Sequence, residues 1–162
     1  MDKRMINGLK TGIDRLDRVI TGLFPGDLIV IAKMPYEEIN SLSGRIIEGI
    51  LSQSNRNVAI VSLDRIKNDK TDNTVKSLKC MADALNIPVI LLTSISETVT
   101  KRKDKSPRLK DLPDDIVDSA QLIMLLNKEE DNDHDEADMM YVTIAKNLNG
   151  PIGTVNISET KI

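Results

Sequence analysis

Four apolar runs of strand length constrain this chain more than any other feature: Leu28–Ala32, Val58–Ser62, Val89–Thr93 and Leu122–Leu126. Each is almost unbroken in Leu, Ile, Val and Ala, so each needs burial on both faces, as strands inside a parallel sheet do. Between the runs the period becomes helical. Ile39, Leu42, Ile46 and Ile50 recur between Glu38 and Gln53, with Ile47 and Leu51 beside them. Val75, Leu78, Met81, Ala82 and Leu85 repeat the pattern after a polar stretch from Lys67 to Asn73, and Asn86 and Pro88 stop it. A shorter helix is predicted over Ile13, Leu16, Val19 and Ile20, with Thr11 and Asp14 as its capping box and Gly22 and Pro25-Gly26 as its end. Asp114 to Ser119 suits one helical turn. Met140, Val142 and Ile144 alternate with Tyr141, Thr143 and Ala145, and Val155 alternates with Ile157 across the Asn149-Gly150-Pro151 turn, which predicts a closing antiparallel hairpin. Strands alternating with helices give an α/β domain.

Composition narrows the function. The 162 residues suffice for one domain spanning 1–162, and no run reaches the ~20 apolar residues of a membrane helix. The first residues lead into no apolar signal segment, and the single Cys80 suits a reducing compartment, so a cytoplasmic location with no membrane partner is expected. Aromatics are 2% (Phe24, Tyr36 and Tyr141), so the core is aliphatic and a base-stacking platform is excluded. The net charge of −3 points to no polyanion. His134 and Cys80 cannot assemble a zinc set, and no metal site is expected. Asp131, Asp133 and Asp135 echo a calcium loop, but Glu136 and Val142 stand where an EF-hand has its glycine and glutamate, so the acidic run Glu129 to Asp138 reads as a solvated hairpin end.

Several segments resemble one family in its own order. Thr11-Gly-Ile-Asp-Arg-Leu-Asp17, Gly22-Leu-Phe-Pro-Gly-Asp-Leu-Ile-Val-Ile-Ala32, Val58 to Asp64, Ser77 to Ile90, Leu122-Ile-Met124 and Lys146-Asn-Leu-Asn-Gly-Pro-Ile-Gly153 are similar to the C-terminal ATPase domain of DnaB-type replicative helicases. The last is the most specific. The resemblance implies a RecA-like fold, a mostly parallel sheet flanked by helices with a C-terminal antiparallel hairpin. It also implies hexameric rings that hydrolyse ATP with Mg²⁺ and move along single-stranded DNA.

The departures from that family fall on its charged parts. A phosphate loop needs glycines, a lysine for the β/γ charge and a hydroxyl for Mg²⁺. Across Pro35, Tyr36, Glu37, Glu38, Ile39 and Asn40, ungapped alignment from Leu28 puts Glu38 at a loop glycine, Ile39 at the lysine and Asn40 at the Ser/Thr. A carboxylate ~4 Å from a phosphate repels it by roughly 4 kcal/mol at an effective dielectric of ~20, against about 1 kcal/mol of attraction from a helix N-terminus. ATP and Mg²⁺ binding is therefore expected to be lost, and no cofactor is expected. Asp64 stands at the water-activating glutamate as a vestigial candidate. The strand bearing the Mg²⁺ aspartate is missing, an internal deletion between about 65 and 75 that leaves a smaller sheet. Ser94 replaces a glutamine. Lys146 is kept, but Leu148 replaces the arginine that reaches a neighbouring subunit's site. Gly150 and Gly153 are expected to permit the turn there, and Pro151 to stiffen it.

Lys101, Arg102, Lys103, Lys105, Arg108 and Lys110 face one acid, Asp104, for a net +5 over ten residues. They read as a solvated flexible loop, or as a weak contact for single-stranded DNA. The expected function is that of a degenerate, non-hydrolysing helicase domain in DNA replication or mobile-element biology, working through contact between Lys146, Leu148, Asn149, Gly150, Pro151, Gly153 and a replicative helicase or its own copies. The alternatives are a residual ATP-dependent helicase subunit and a single-stranded-DNA accessory that uses residues 101–110.

Overall fold

The computed structural model describes residues 8–34, 42–53, 57–63, 71–104, 106–129 and 139–157. The elements run α1 (Asp14–Ile20), β1 (Leu28–Lys33), α2 (Leu42–Leu51), β2 (Ala59–Leu63), α3 (Thr71–Leu85), β3 (Val89–Ser94), α4 (Asp114–Ser119), β4 (Leu122–Glu129), β5 (Met139–Asn147) and β6 (Gly153–Asn156). Two 3₁₀ turns, Glu97–Lys101 and Leu109–Asp111, lie between β3 and α4.

All six strands join one sheet in the order β2-β3-β1-β4-β5-β6. β2, β3, β1 and β4 are parallel, while β5 and β6 add on antiparallel. The four apolar runs thus share a sheet, as their continuity predicts. Period-2 alternation sends their side chains to two separate cores. Ile29, Ile31, Ile90, Met124 and Leu126 pack with Leu16 and Ile20 of α1 and with Leu42, Ile46 and Ile50 of α2. Leu28, Val30, Leu91, Ile123 and Leu125 pack with Val75, Leu78 and Ala82 of α3 and with Ile116 of α4. The result is a helix–sheet–helix sandwich.

The capping box expected from Thr11 and Asp14 does not form. Ile13 occupies the N-cap of α1 and supplies no side-chain cap. The reciprocal pair is instead Thr11 and Asp17: the Asp17 carboxylate accepts from Thr11 N–H (2.7 Å), Thr11 Oγ1 (2.8 Å) and Gly12 N–H (3.2 Å), while Thr11 Oγ1 accepts from Ile13 N–H (3.2 Å). From one turn into the helix, Asp17 reaches back to the donors of the loop before the N-cap, and so fixes how the chain enters α1. This loop sits hard against α2. A Cβ on Gly49 would lie 1.9 Å from the Thr11 carbonyl oxygen, so only glycine lets α2 approach here.

Other boundaries shift by small amounts. β2 starts and ends one residue after the expected run, and α3 begins at Thr71, inside the stretch expected to be polar loop. The loop residues Pro35, Tyr36, Glu37, Glu38, Ile39 and Asn40, the strand-end Asp64, Lys105, the acidic run 130–138 with His134, and the start of the predicted Glu38–Gln53 helix lie outside the described residues.

Candidate functional site

The segment Lys146–Gly153 leaves β5, turns and returns as β6. Because β5 runs antiparallel to β4, with Asn147 opposite Leu122, this turn lies at the amino end of the parallel strands. Its polar side chains are turned into the protein. Lys146 Nζ donates to the Val117 carbonyl oxygen (2.6 Å), tying β5 to the last turn of α4, where a cation also suits the helix dipole. Asn147 Nδ2 donates to the Pro151 carbonyl oxygen (3.1 Å), and Asn147 Oδ1 accepts from Asn149 N–H (3.1 Å), closing an Asx-type turn. Asn149 Nδ2 donates to Asp27 Oδ2 (2.8 Å), and Asp27 is 1% exposed just before β1. Leu148 N–H donates to the Gln121 carbonyl oxygen (2.9 Å). Gln121 Oε1 in turn accepts from Leu28 N–H (2.7 Å). Of the two glycines expected to permit the turn, Gly153 does so, at φ +154°. Gly150 has no positive φ and is fixed instead by packing: a Cβ there would lie 3.2 Å from Asn147 Nδ2.

Inward anchoring leaves the apolar side chains facing water. Leu148 is 65% exposed and Ile152 is 67% exposed, on either side of the exposed Pro151. The turn therefore presents an apolar tip on a rigid base.

The opposite end of the sheet carries a shallow cleft lined by Ile31 and Lys33 of β1, Ser43 of α2, Ser62 of β2, and Leu92 and Thr93 of β3. It encloses about 40 Å³. Small-molecule sites in α/β sheets open at these carboxyl ends. Among the described residues no group of three His, Cys, Asp or Glu side chains is placed to hold a metal ion. No described helix is long and apolar enough to cross a membrane.

The basic segment is not the open loop its composition suggests. Arg102 makes a bidentate pair with Asp111, Nη1 to Oδ1 at 2.6 Å and Nη2 to Oδ2 at 2.8 Å, with Asp111 only 7% exposed. Arg102 also donates to the carbonyls of Asp104 and Ser106 (both 2.6 Å). Arg108 pairs with Asp104, whose carboxylate accepts from Ser106 N–H as well. Hydrogen bonds from Ser106 and then Arg108 hold the Asp104 carboxyl down at about 2. The hydrogen bond from Arg102 lowers Asp111 and raises Arg102 itself. Composition missed this because a count of cations does not show that two of them, Arg102 and Arg108, have carboxylates at hand. Lys101, Lys103 and Lys110 remain exposed.

With this geometry in place, comparison with known proteins is decisive. The family model for the DnaB-like helicase C terminal domain matches residues 67–161, more than half of the chain. The chain belongs to that family. It is 33% identical over 90 residues to the replicative DNA helicase DnaB of Geobacillus stearothermophilus, covering 53% of this chain and 20% of that protein. It is 30% identical over 148 residues to the replicative DNA helicase DnaB of Haemophilus influenzae, covering 85% and 29%. It thus spans less than a third of the length of these relatives. A DnaB-like replicative helicase, solved with its interactions with primase, superposes with a TM-score of 0.70 at 19% identity, covering 93% of this chain and 59% of that one. A solved ATPase domain superposes with a TM-score of 0.72 at 20% identity, covering 98% and 90%, and the two together support the RecA-like fold.

Within this DnaB-like domain the anchors Asp27 and Gln121 had no role assigned from sequence. Each is a polar residue directly before a buried strand, and that placement is the signal that marks it as a strand-end anchor.

Proposed function

We propose that this DnaB-like domain is non-hydrolysing and works through protein–protein contact, with a replicative helicase or with its own copies, in DNA replication or in the biology of a mobile element. The carrying observation is Leu148, 65% exposed on a turn whose polar neighbours bond inward. The family resemblance puts a catalytic arginine at this position. A leucine there offers contact and no charge, so it stabilises no developing negative charge on a phosphate. Asn149, Gly150, Pro151 and Gly153 keep the turn that presents it.

Two further features support the reading. Residues Glu37, Glu38, Ile39 and Asn40 place two carboxylates and no cation where an ATP-binding loop needs a lysine and a hydroxyl, so this donor set does not fit ATP with Mg²⁺. Only residues 64–70 separate Leu63 from Thr71, too few for a parallel strand with its crossover, which needs a dozen or more. This agrees with a domain that lacks the strand carrying the Mg²⁺ aspartate.

The turn and the end of β1 lie at opposite ends of the sheet. Six residues of strand, roughly 20 Å, separate the two levels. Contact between the Leu148 tip of one subunit and the other end of the next is therefore head to tail. Exposed Lys101, Lys103 and Lys110 favour a second, weaker reading, a salt-dependent contact with single-stranded DNA.

Sedimentation of the protein with a replicative helicase ring, and alone over a concentration series, tests the contact. Leu148→Asp is expected to weaken any association by about tenfold or more, because docking would bury an unpaired carboxylate. A protein that is monomeric at every concentration and stays free beside excess ring overturns the reading. Phosphate release from ATP that needs Mg²⁺ and is abolished by Asp64→Ala would establish the residual ATPase instead.

A further inference from the structure

The turn that carries Leu148 also holds a residue pair with chemistry of its own. Asn149 is followed by Gly150, and a glycine leaves its backbone nitrogen open to approach by the side-chain carbon of the asparagine before it. Asn147, two residues earlier, is followed by Leu148, whose side chain shields the corresponding nitrogen. Gly150 is exposed, and among the described residues its N–H donates to no acceptor. Its nitrogen is therefore free to react, and water can reach it.

The Asn149 amide points the other way, into the protein. Its Nδ2 donates to Asp27 Oδ2 at 2.8 Å, and Asp27 is 1% exposed. An ionised carboxylate only accepts, so this bond lasts only while position 149 carries an N–H donor. Asp27 is held in place by its own backbone: its N–H donates to the Phe24 carbonyl oxygen (3.2 Å), and its carbonyl oxygen accepts from Val89 N–H (3.0 Å).

We propose that Asn149 is a deamidation site, and that Asp27 converts the loss of its amide into release of the Lys146–Gly153 turn. The Gly150 nitrogen attacks Asn149 Cγ. The new N–Cγ bond closes a cyclic imide, the Cγ–Nδ2 bond breaks, and Nδ2 leaves as ammonia with the proton from Gly150. Water then opens the imide. Attack at Cγ leaves aspartate, and attack at the main-chain carbonyl carbon leaves isoaspartate with a lengthened backbone. Either product loses the donor to Asp27 and gains a negative charge beside it. Two carboxylates so close repel, and neither has a proton to share. The neighbouring bonds, Asn149 N–H to Asn147 Oδ1 and Leu148 N–H to the Gln121 carbonyl oxygen, then lose their brace. The chemistry does not depend on what Leu148 contacts.

Mass spectrometry of the full chain after warm, mildly alkaline incubation tests the site, with the same chain in urea as the unrestrained reference. Asn149 is expected to convert to aspartate and isoaspartate in the folded chain, more slowly than in urea because Asp27 holds the amide, while Asn147 stays intact. The converted chain, separated by anion exchange, is expected to have a lower urea midpoint and to exchange its Leu148 amide about tenfold faster or more. Asn149→Asp reproduces both changes. In an Asp27→Asn background, where the side chain at 27 can donate to the new carboxylate, Asn149→Asp is expected to lower the midpoint much less, with circular dichroism reporting the fold of each variant. An Asn149 that stays intact in the folded chain while the urea sample converts overturns the site. Conversion that leaves Leu148 exchange unchanged, or a loss equally large in the Asp27→Asn background, overturns the release.

Discussion

The Lys146–Gly153 turn and the basic segment from Lys101 to Asp111 are both dense in polar side chains, and they use them in different ways. The turn is held by hydrogen bonds in which one partner is often a buried backbone or carboxylate group, and its outward residues are Leu148 and Ile152. The basic segment is held by ion pairs, Arg102 with Asp111 and Arg108 with Asp104, and its outward residues are lysines. Motif residues that read as functional can thus be structural, and the residue left over by the internal bonding is the one that faces solvent. At the turn the leftover is apolar. In the basic segment it is cationic.

The largest expected effect is at the buried end of the turn. Asp27→Ala removes a carboxylate that is 1% exposed and strands Asn149, at a cost of about 1.5–3 kcal/mol in urea unfolding. Leu148→Ser, on the outward side of the same turn, stays within about 0.5 kcal/mol of wild type. If the two substitutions cost the same, the division between anchor and tip is wrong.

Next comes the segment. Arg102→Met leaves the Asp111 carboxylate without its bidentate partner and is expected to lower the urea midpoint by less than Asp27→Ala does. Hydrogen exchange should speed up across residues 102–112 and stay unchanged in β5 and β6. Exchange rising equally in both regions would mean that they are not independently held.

Acid separates the two regions more finely. Asp104 and Asp111 have folded pKa values below their unfolded values, Asp104 at about 2. Their contribution is therefore full above the unfolded carboxylate pKa of ~3.9 and is lost as pH falls below it, for Asp104 toward about 2. Amide signals of residues 102–112 should shift in that window, while those of Asn147 and Leu148 respond less. Smallest of all, replacing Lys101, Lys103 and Lys110 with Gln changes stability by no more than about 0.5 kcal/mol while removing any salt-dependent binding of single-stranded DNA.

Much of this fold is legible in the sequence because its strands are buried on both faces and so carry continuous apolar runs. The helices α2 and α3 show their period for the same reason, through Ile46 and Ile50 and through Val75 and Ala82. Boundaries set by capping were harder. The bonds from Asp17 back to Thr11 and Gly12 span five to six residues and match no short template, so Asp14 looked the better partner. The turn motif was visible as a string of residues, but its anchors Asp27 and Gln121 lie more than a hundred and more than twenty positions away, and only the sheet brings them together. The half-exposed edge β2 was invisible, since an apolar run looks the same at the edge of a sheet as in its middle.

The proposed function is that of a family scaffold that keeps its turn and gives up its phosphate chemistry. Calorimetric titration of the full chain with ATP in the presence of Mg²⁺ tests that most directly. No saturable heat up to millimolar nucleotide is the predicted result, because Glu38 supplies repulsion and Ile39 supplies no cation where the loop needs one. Saturable binding with a one-to-one stoichiometry, lost when Mg²⁺ is chelated, would contradict it.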